Sequence, residues 1–592
     1  MMRGRDITIC LMCSLLGVTL LIVAGLQLDN INAQRKQMKL ISNEPMENAP
    51  PSLAFATVAM GAFRGLVVDV LWMRADKLKE EGQFFDAKQL AEWITTLQPR
   101  FASVWSFHAW NMAYNISVAI PASQPDQRWR WIKNGYELLR DKGIPLNPRA
   151  IELYRELGRI FQHKMGGVTD DAHKYYKLQL AAAMEPLLGT ADNQFFEALI
   201  AAPTRWEQVA NDPNVRPLID ALKAADETFL NEGAFVDSYL SLRQNPGRFK
   251  SAVFEVIENF RGTKTLDKLD IFAKAYHLRN TWKLDPVLMH EINKTYGPID
   301  FSDPNKHSPL DWRHPDSHAI YWAVKALKVA NQNETREIDM SETNTDRIVA
   351  HSLKNLFNYG KMLIYDEPVQ PPEEDGTGAS QPQMLKQIYL RPDLRMFDPY
   401  NKAVMAIIDK YKDDSGRRES LENGHRNMLK DAVLSFYLAG HKDEALRIYN
   451  LLRKLYPIDQ FKVPFETYVK SRFFEEVEKL GIHDATAQIA AIMEESYYLY
   501  AIRADDEASG REKLAEDIHQ YYTKQNPDEI RIDLPEMKWL RYAAIVDFLN
   551  DRRYSPYLRG SLLARIKIER PELYKQFDQV EQELRKESGT SE

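Results

Sequence analysis

The run Asp311-Trp312-Arg313-His314-Pro315-Asp316-Ser317-His318 holds the densest set of chemically versatile side chains in this 592-residue sequence. His314 and His318 stand four apart, a spacing that on a helix sets two imidazoles on one face, as two ligands to a divalent ion would be. Pro315 suits a first helical position, where its missing N–H costs nothing. Asp316 then falls in the first turn, where negative charge complements the helix dipole. That same positive helix end is a poor seat for a cation, and no third ligand can be nominated. The simpler expectation is a helix start whose histidines bond locally, followed by core positions Ile320, Tyr321, Val324 and Leu327. A P-loop, a three-glycine dinucleotide fingerprint, a G-x-S-x-G elbow, an HExxH helix and a zinc-ribbon cysteine pattern are all absent. Gly376-Thr377-Gly378 follows no expected strand and opens no helix. The expectation is a non-enzymatic chain without cofactors. The alternative is a metal- or carboxylate-dependent enzyme within 190–365, with His314 and His318 as its first suspects.

Those residues must be positioned by helices, because helical periodicity dominates the chain and no convincing strand alternation is found. Two segments share one register. Gly82 is followed five residues later by Ala87 and twelve after that by Pro99, and Gly440, Ala445 and Pro457 repeat the spacing. Leu71, Ala75 and Leu78 before Gly82, and Leu90, Ala91 and Ile94 after it, mark two amphipathic helices. Trp105 follows six residues after Pro99, and Tyr154-x-x-Leu157-Gly158-x-x-Phe161 opens a further unit. This pattern resembles the tetratricopeptide repeat, a thirty-four-residue helix–turn–helix unit whose apolar face is buried only by stacking on neighbours. The resemblance implies an all-α, tetratricopeptide-like solenoid over 53–190 and again over 385–592, the latter closed by a charged capping helix from about Pro571 to Arg585. It also implies a groove for partner proteins, lined by the first helix of each hairpin. Carried over position by position, the groove residues are Asp69, Trp72, Asp76, Lys79 and Glu80, then Trp110 and Tyr114, then Arg155, Arg159 and His163. Aromatic and arginine side chains are frequent interface anchors. The competing expectation is that Trp72 and Trp110 pack between repeats and the charges form a solvated face.

Between the two repeat regions, 191–365 carries helical periodicity without a repeat register, as in Phe195–Ala201, Val215–Glu227, Phe249–Asn259 and Leu266–Tyr276. Residues 366–384 are rich in acid, proline and glycine and are expected to form a disordered linker.

The N-terminus decides the setting. Ile7 to Leu26 is an uncharged, mostly apolar run, long enough for about 30 Å of helix. It is longer than the usual signal-peptide core, so 1–28 is expected to be a transmembrane signal-anchor and 29–52 a polar, proline-flanked tether. Arg3 and Arg5 favour a cytoplasmic N-terminus, with the bulk of the chain in a bacterial periplasm. The shorter apolar run Leu53–Phe63, interrupted by Arg64 and Asp69, is expected to begin the first solenoid helix. Cys10 and Cys13 lie inside the anchor, which leaves the exported part without cysteine. Net charge is −7 with both signs interspersed, and no basic stripe suggests nucleic acid. The expected role is a single-pass scaffold of the inner membrane that gathers envelope, secretion or transport proteins, with self-association into homo-oligomers as a further expectation. A structural, oligomeric envelope layer is the remaining alternative.

Overall fold

The computed structural model describes residues 63–587 except 190, 302, 332–339, 370–382, 479–484, 526–534 and 552–553, with a few isolated positions before residue 63. The expected anchor and tether therefore lie outside the described residues, apart from those positions. Among the described residues no helix is long and apolar enough to cross a membrane. The chain divides into two compact units, one of residues 1–108 with 141–148 and one of 109–140 with 149–592.

In the first unit, Phe63–Glu80 and Phe84–Leu97 form a helical hairpin. Ala75, Ala87, Ala91 and Ile94 are fully enclosed, so the helices close through small side chains at their crossing. Gly82 makes the turn at φ +75, a left-handed conformation that favours glycine. Its N–H bonds to the Lys79 carbonyl at 3.1 Å, and the Gln83 N–H reaches back to Leu78 at 2.8 Å. These two bonds make a Schellman cap. The Pro99 carbonyl then accepts hydrogen bonds from Trp105 Nε1 and Asn147 Nδ2, both at 2.9 Å, which fixes the next helix entry.

The second unit repeats this device. Between Ser415–Leu438 and Lys442–Leu455, Gly440 has φ +85, and its cap bonds run from Gly440 to Tyr437 and from His441 to Phe436. Between Ala485–Ala501 and Asp505–Gln525 the same cap recurs with Arg503 at φ +64, and Ala508 holds the buried place of Ala87 and Ala445.

Packing in this unit departs from a solenoid of neighbour-only contacts. Ile151–Arg159 lies against Pro315–Asn331 and Met340–Tyr359, far away in sequence. Gly158 permits the approach, since a Cβ there would stand 3.3 Å from the Ala319 carbonyl oxygen. The irregular middle thus supplies part of the core against which Ile151–Arg159 packs. The expected helices of 191–365 are present, including Asn193–Ala201, Arg216–Ala225, Ser251–Asn259 and Lys264–His277.

The strand-free expectation is corrected. Strand β1 (Ile299–Asp300) pairs antiparallel with β2 (Asp303–His307), and β3 (Lys361–Val369) pairs with β4 (Gln383–Arg391). The fold is mainly helical with two small hairpins. Residues 366–384 are therefore not a linker throughout: 366–369 end β3 and 383–384 begin β4, while 370–382 lie outside the described residues. Gly376-Thr377-Gly378 lies among those undescribed residues. The physical reason for the β3–β4 pair is a period-2 apolar face, on which Met362, Ile364, Ile388 and Leu390 pack with Ala181 of the His173–Leu188 helix.

Candidate functional site

Ile151–Arg159 runs on into a π-helical segment, Ile160–Met165, and Ala102–Trp110 runs likewise into Asn111–Ile116. Such segments are rare and often mark functional sites. The wider turns bring Tyr114 and His163 together, with ring centroids 5.7 Å apart. Trp110 stacks on Tyr114 at 6.1 Å, and the Arg159 guanidinium lies 5.3 Å from the centre of the Tyr114 ring. The Tyr114 hydroxyl donates to the Arg159 carbonyl at 3.3 Å. Burial pushes that hydroxyl well above the usual phenol range.

Next to this stack is an open cavity of about 290 Å³. Arg155, Glu156, Arg159, Gln162 and His163 line one wall, and Asn344, Arg347, Ile348 and His351 line the other. Arg155 Nη1 donates to Ser341 Oγ at 2.7 Å, and Arg347 Nη1 donates to Asn344 Oδ1 at 3.4 Å. Arg159 stands 3.5 Å from Glu156 Oε2, the single acid against three guanidinium groups. Glu156 is buried and its Oε1 has no hydrogen-bond partner. Burial raises the Glu156 pKa above the usual carboxylate range, and Arg159 and Arg155 partly oppose that rise. His163 is lowered by burial and then by Arg159 and Lys164, and His351 by burial and then by Lys354 and Arg347. The cavity is therefore electropositive and holds guanidinium donors that can receive oxyanions.

Five of the groove residues expected from sequence, Trp110, Tyr114, Arg155, Arg159 and His163, come together here. Trp72, Asp76 and Lys79 belong to the first unit. There Trp72 packs on Phe107 and Phe101 at 5.0 and 5.9 Å, while Lys79 pairs with Asp76 at 2.8 Å. Arg347 and His351 were not anticipated. Their helix carries no repeat register, and only the folded chain sets it beside Arg155.

His314 and His318 serve the helix start. The Asp316 N–H donates to His314 Nδ1 at 3.2 Å, and His318 Nε2 lies 2.9 Å from the Trp312 carbonyl oxygen. Phe161, Trp282 and Trp312 surround the His318 ring. Both histidines are fully enclosed, and burial pushes them down to about 3 and about 4. Among the described residues, no three or more His, Cys, Asp or Glu side chains gather to hold a metal ion.

Compared with known proteins, the chain matches no family model and shows no significant similarity to any curated sequence.

Proposed function

We propose that this chain is a membrane-tethered helical scaffold that binds protein partners in a bacterial envelope assembly. The observation that carries the reading is the basic cavity, where Arg155, Arg159 and His163 meet Arg347 and His351 beside the Trp110–Tyr114 stack. An open, electropositive cleft with aromatic neighbours suits recognition of an acidic protein segment. The repeated hairpins with matching glycine caps support the tetratricopeptide-like part of the reading. Tethering is supported by the apolar Ile7–Leu26 run, within which Met12, Leu15 and Leu16 are 68, 73 and 61% exposed on the chain alone. Three large apolar side chains left in water are unfavourable, whereas a bilayer would cover them. Confinement on a membrane would also raise the effective concentration of partners held there.

In-cell crosslinking of tagged full-length protein, followed by mass spectrometry, tests the reading. A reproducible set of envelope proteins is expected, crosslinked to the Trp110–His163 and Asn344–His351 faces. Arg155→Glu combined with Arg347→Glu should reduce their recovery strongly while leaving the melting temperature nearly unchanged. Undiminished recovery from that variant overturns the assignment of the cavity.

A further inference from the structure

At the base of the long hairpin, β3 and β4 set Lys361 directly opposite Arg391. Like charges in directly opposed positions destabilise a strand pair. Lys361 has a counter-ion, because its Nζ lies 3.2 Å from Glu507 Oε1. Among the described residues Arg391 has none, and its Nε and Nη1 are buried without a hydrogen-bond partner. A buried polar group left unpaired costs roughly 1–3 kcal/mol, and more when it is charged.

Arg391 borders a cavity of about 530 Å³. The other charges on that cavity are already engaged. Asp311 holds Arg313 through two bonds of 2.9 and 2.8 Å, and Arg313 also reaches Glu185 at 2.8 Å. Asp393 holds Arg395 in the same way at 2.9 and 2.7 Å. Asp192 caps the Asn193–Ala201 helix by accepting from the Phe195 N–H at 2.8 Å. Arg391 lines this cavity with two buried guanidinium nitrogens that make no hydrogen bond, and it also borders a neighbouring cavity shared with Glu495 and Glu507. Leu310, Trp312, Met362 and Met396 add an apolar wall to the same cavity. The volume lies within the range of small-molecule sites, which pair an apolar lining with a few convergent polar groups.

We infer that this cavity binds a small organic oxyanion, with a carboxylate or phosphate group on Arg391 and an apolar body against Trp312 and Met396. The site is separate from the partner-binding cavity and does not depend on it. An arriving anion would satisfy the orphaned guanidinium and offset its repulsion with Lys361.

The test uses detergent-purified full-length protein, with inorganic phosphate and benzoate as probes and chloride at matched ionic strength as the control. Calorimetric titration and thermal melting should show binding of at least one probe and a midpoint rise of several degrees, both lost in Arg391→Gln. A larger response to benzoate points to a carboxylate ligand with an apolar body, and a larger response to phosphate points to a phosphate ester. Phenylglyoxal labelling of the unmodified chain gives a second readout that requires no variant. Arg391 should react, and the bound probe should protect it at least threefold in peptide mass spectra. Equal shifts with chloride, equal shifts in Arg391→Gln, or labelling that no probe reduces would each overturn the inference.

Discussion

Arg503 ends its helix in the same left-handed conformation as Gly440, with φ +64 against +85, and each carries the same pair of cap hydrogen bonds. A residue with a Cβ pays roughly 1–2 kcal/mol for that conformation, whereas glycine does not. Arg503→Gly should therefore stabilise the chain by about 1 kcal/mol, and Gly440→Ala should destabilise it by a similar amount. Urea unfolding of the two variants checks the pair. Opposite signs are expected, and a destabilised Arg503→Gly would mean that the arginine side chain outweighs the strain of its backbone.

That cap shows what was legible in the sequence. Gly82 and Gly440 announced their hairpins because glycine advertises a left-handed position, and the buried Ala87 and Ala445 followed at fixed spacing. The hairpin at Arg503 has the same backbone and the same buried alanine, yet its arginine hides the turn. Arg155 and Arg159 could be nominated because repeat register assigns a face to each position. Arg347 and His351 could not, since their contact with that face is a tertiary event between helices distant in the chain. The β3–β4 hairpin was missed because prolines and acids dominate the segment around its tip. The alternation that builds it is confined to Met362 and Ile364 on one strand and Ile388 and Leu390 on the other.

Lys177 is fully buried, and its Nζ donates to the carbonyl oxygens of Met165 and Gly167 at 2.8 and 2.7 Å. Asp316, also fully buried, is the largest charge influence favouring its protonated form, and Asn355 donates to Asp316 Oδ1 at 3.1 Å. Removing one member of such a pair leaves the other uncompensated. Lys177→Met should cost about 3–5 kcal/mol. Adding Asp316→Asn should recover part of that loss, so the double variant is expected to be less destabilised than the sum of the singles. Strict additivity in urea unfolding would show that the two charges do not communicate.

Burial lowers His108, His318 and His425 to about 4, and His314 to about 3, from an ordinary 6.5. Between those values the unfolded chain binds protons that the native chain refuses. Stability therefore falls as pH drops from 6.5 toward 4. Asp316 works in the opposite direction, as Glu156 does, because burial raises its pKa and the native state holds that proton longer. The histidines outnumber them, so the urea midpoint should decrease between about pH 7 and about pH 5. His318→Gln keeps a donor for the Trp312 carbonyl and should make the decrease shallower. A midpoint that rises on acidification would assign control to the buried carboxyl groups, Asp316 and Glu156 among them, instead.

Gly510 lies where Asp505–Gln525 crosses the end of Ser415–Leu438, and a Cβ there would stand 1.7 Å from the Leu438 carbonyl oxygen. Backbone cannot yield by that distance without separating the helices. Gly510→Ala should cost at least about 3 kcal/mol, the upper end of ordinary overpacking. Gly424 on the same long helix has nothing within 4 Å of its would-be Cβ, so Gly424→Ala is the control and should be neutral or mildly stabilising. Comparable losses in both variants would remove the close crossing as the cause.

The charge of the basic cavity can be read without a partner. Arg347 lowers the His351 pKa after burial and Lys354 have done so, whereas the positive neighbours lowering His163 are Arg159 and Lys164. Arg347→Gln should therefore move the His351 titration upward toward its ordinary range and leave His163 nearly in place. Arg159→Gln should do the reverse, raising His163 more than His351. Proton NMR titration of the histidine ring signals separates the two responses. If neither variant moves either histidine, solvent screens the cavity too well for its guanidinium groups to act together, and recognition of an acidic partner there loses its electrostatic basis.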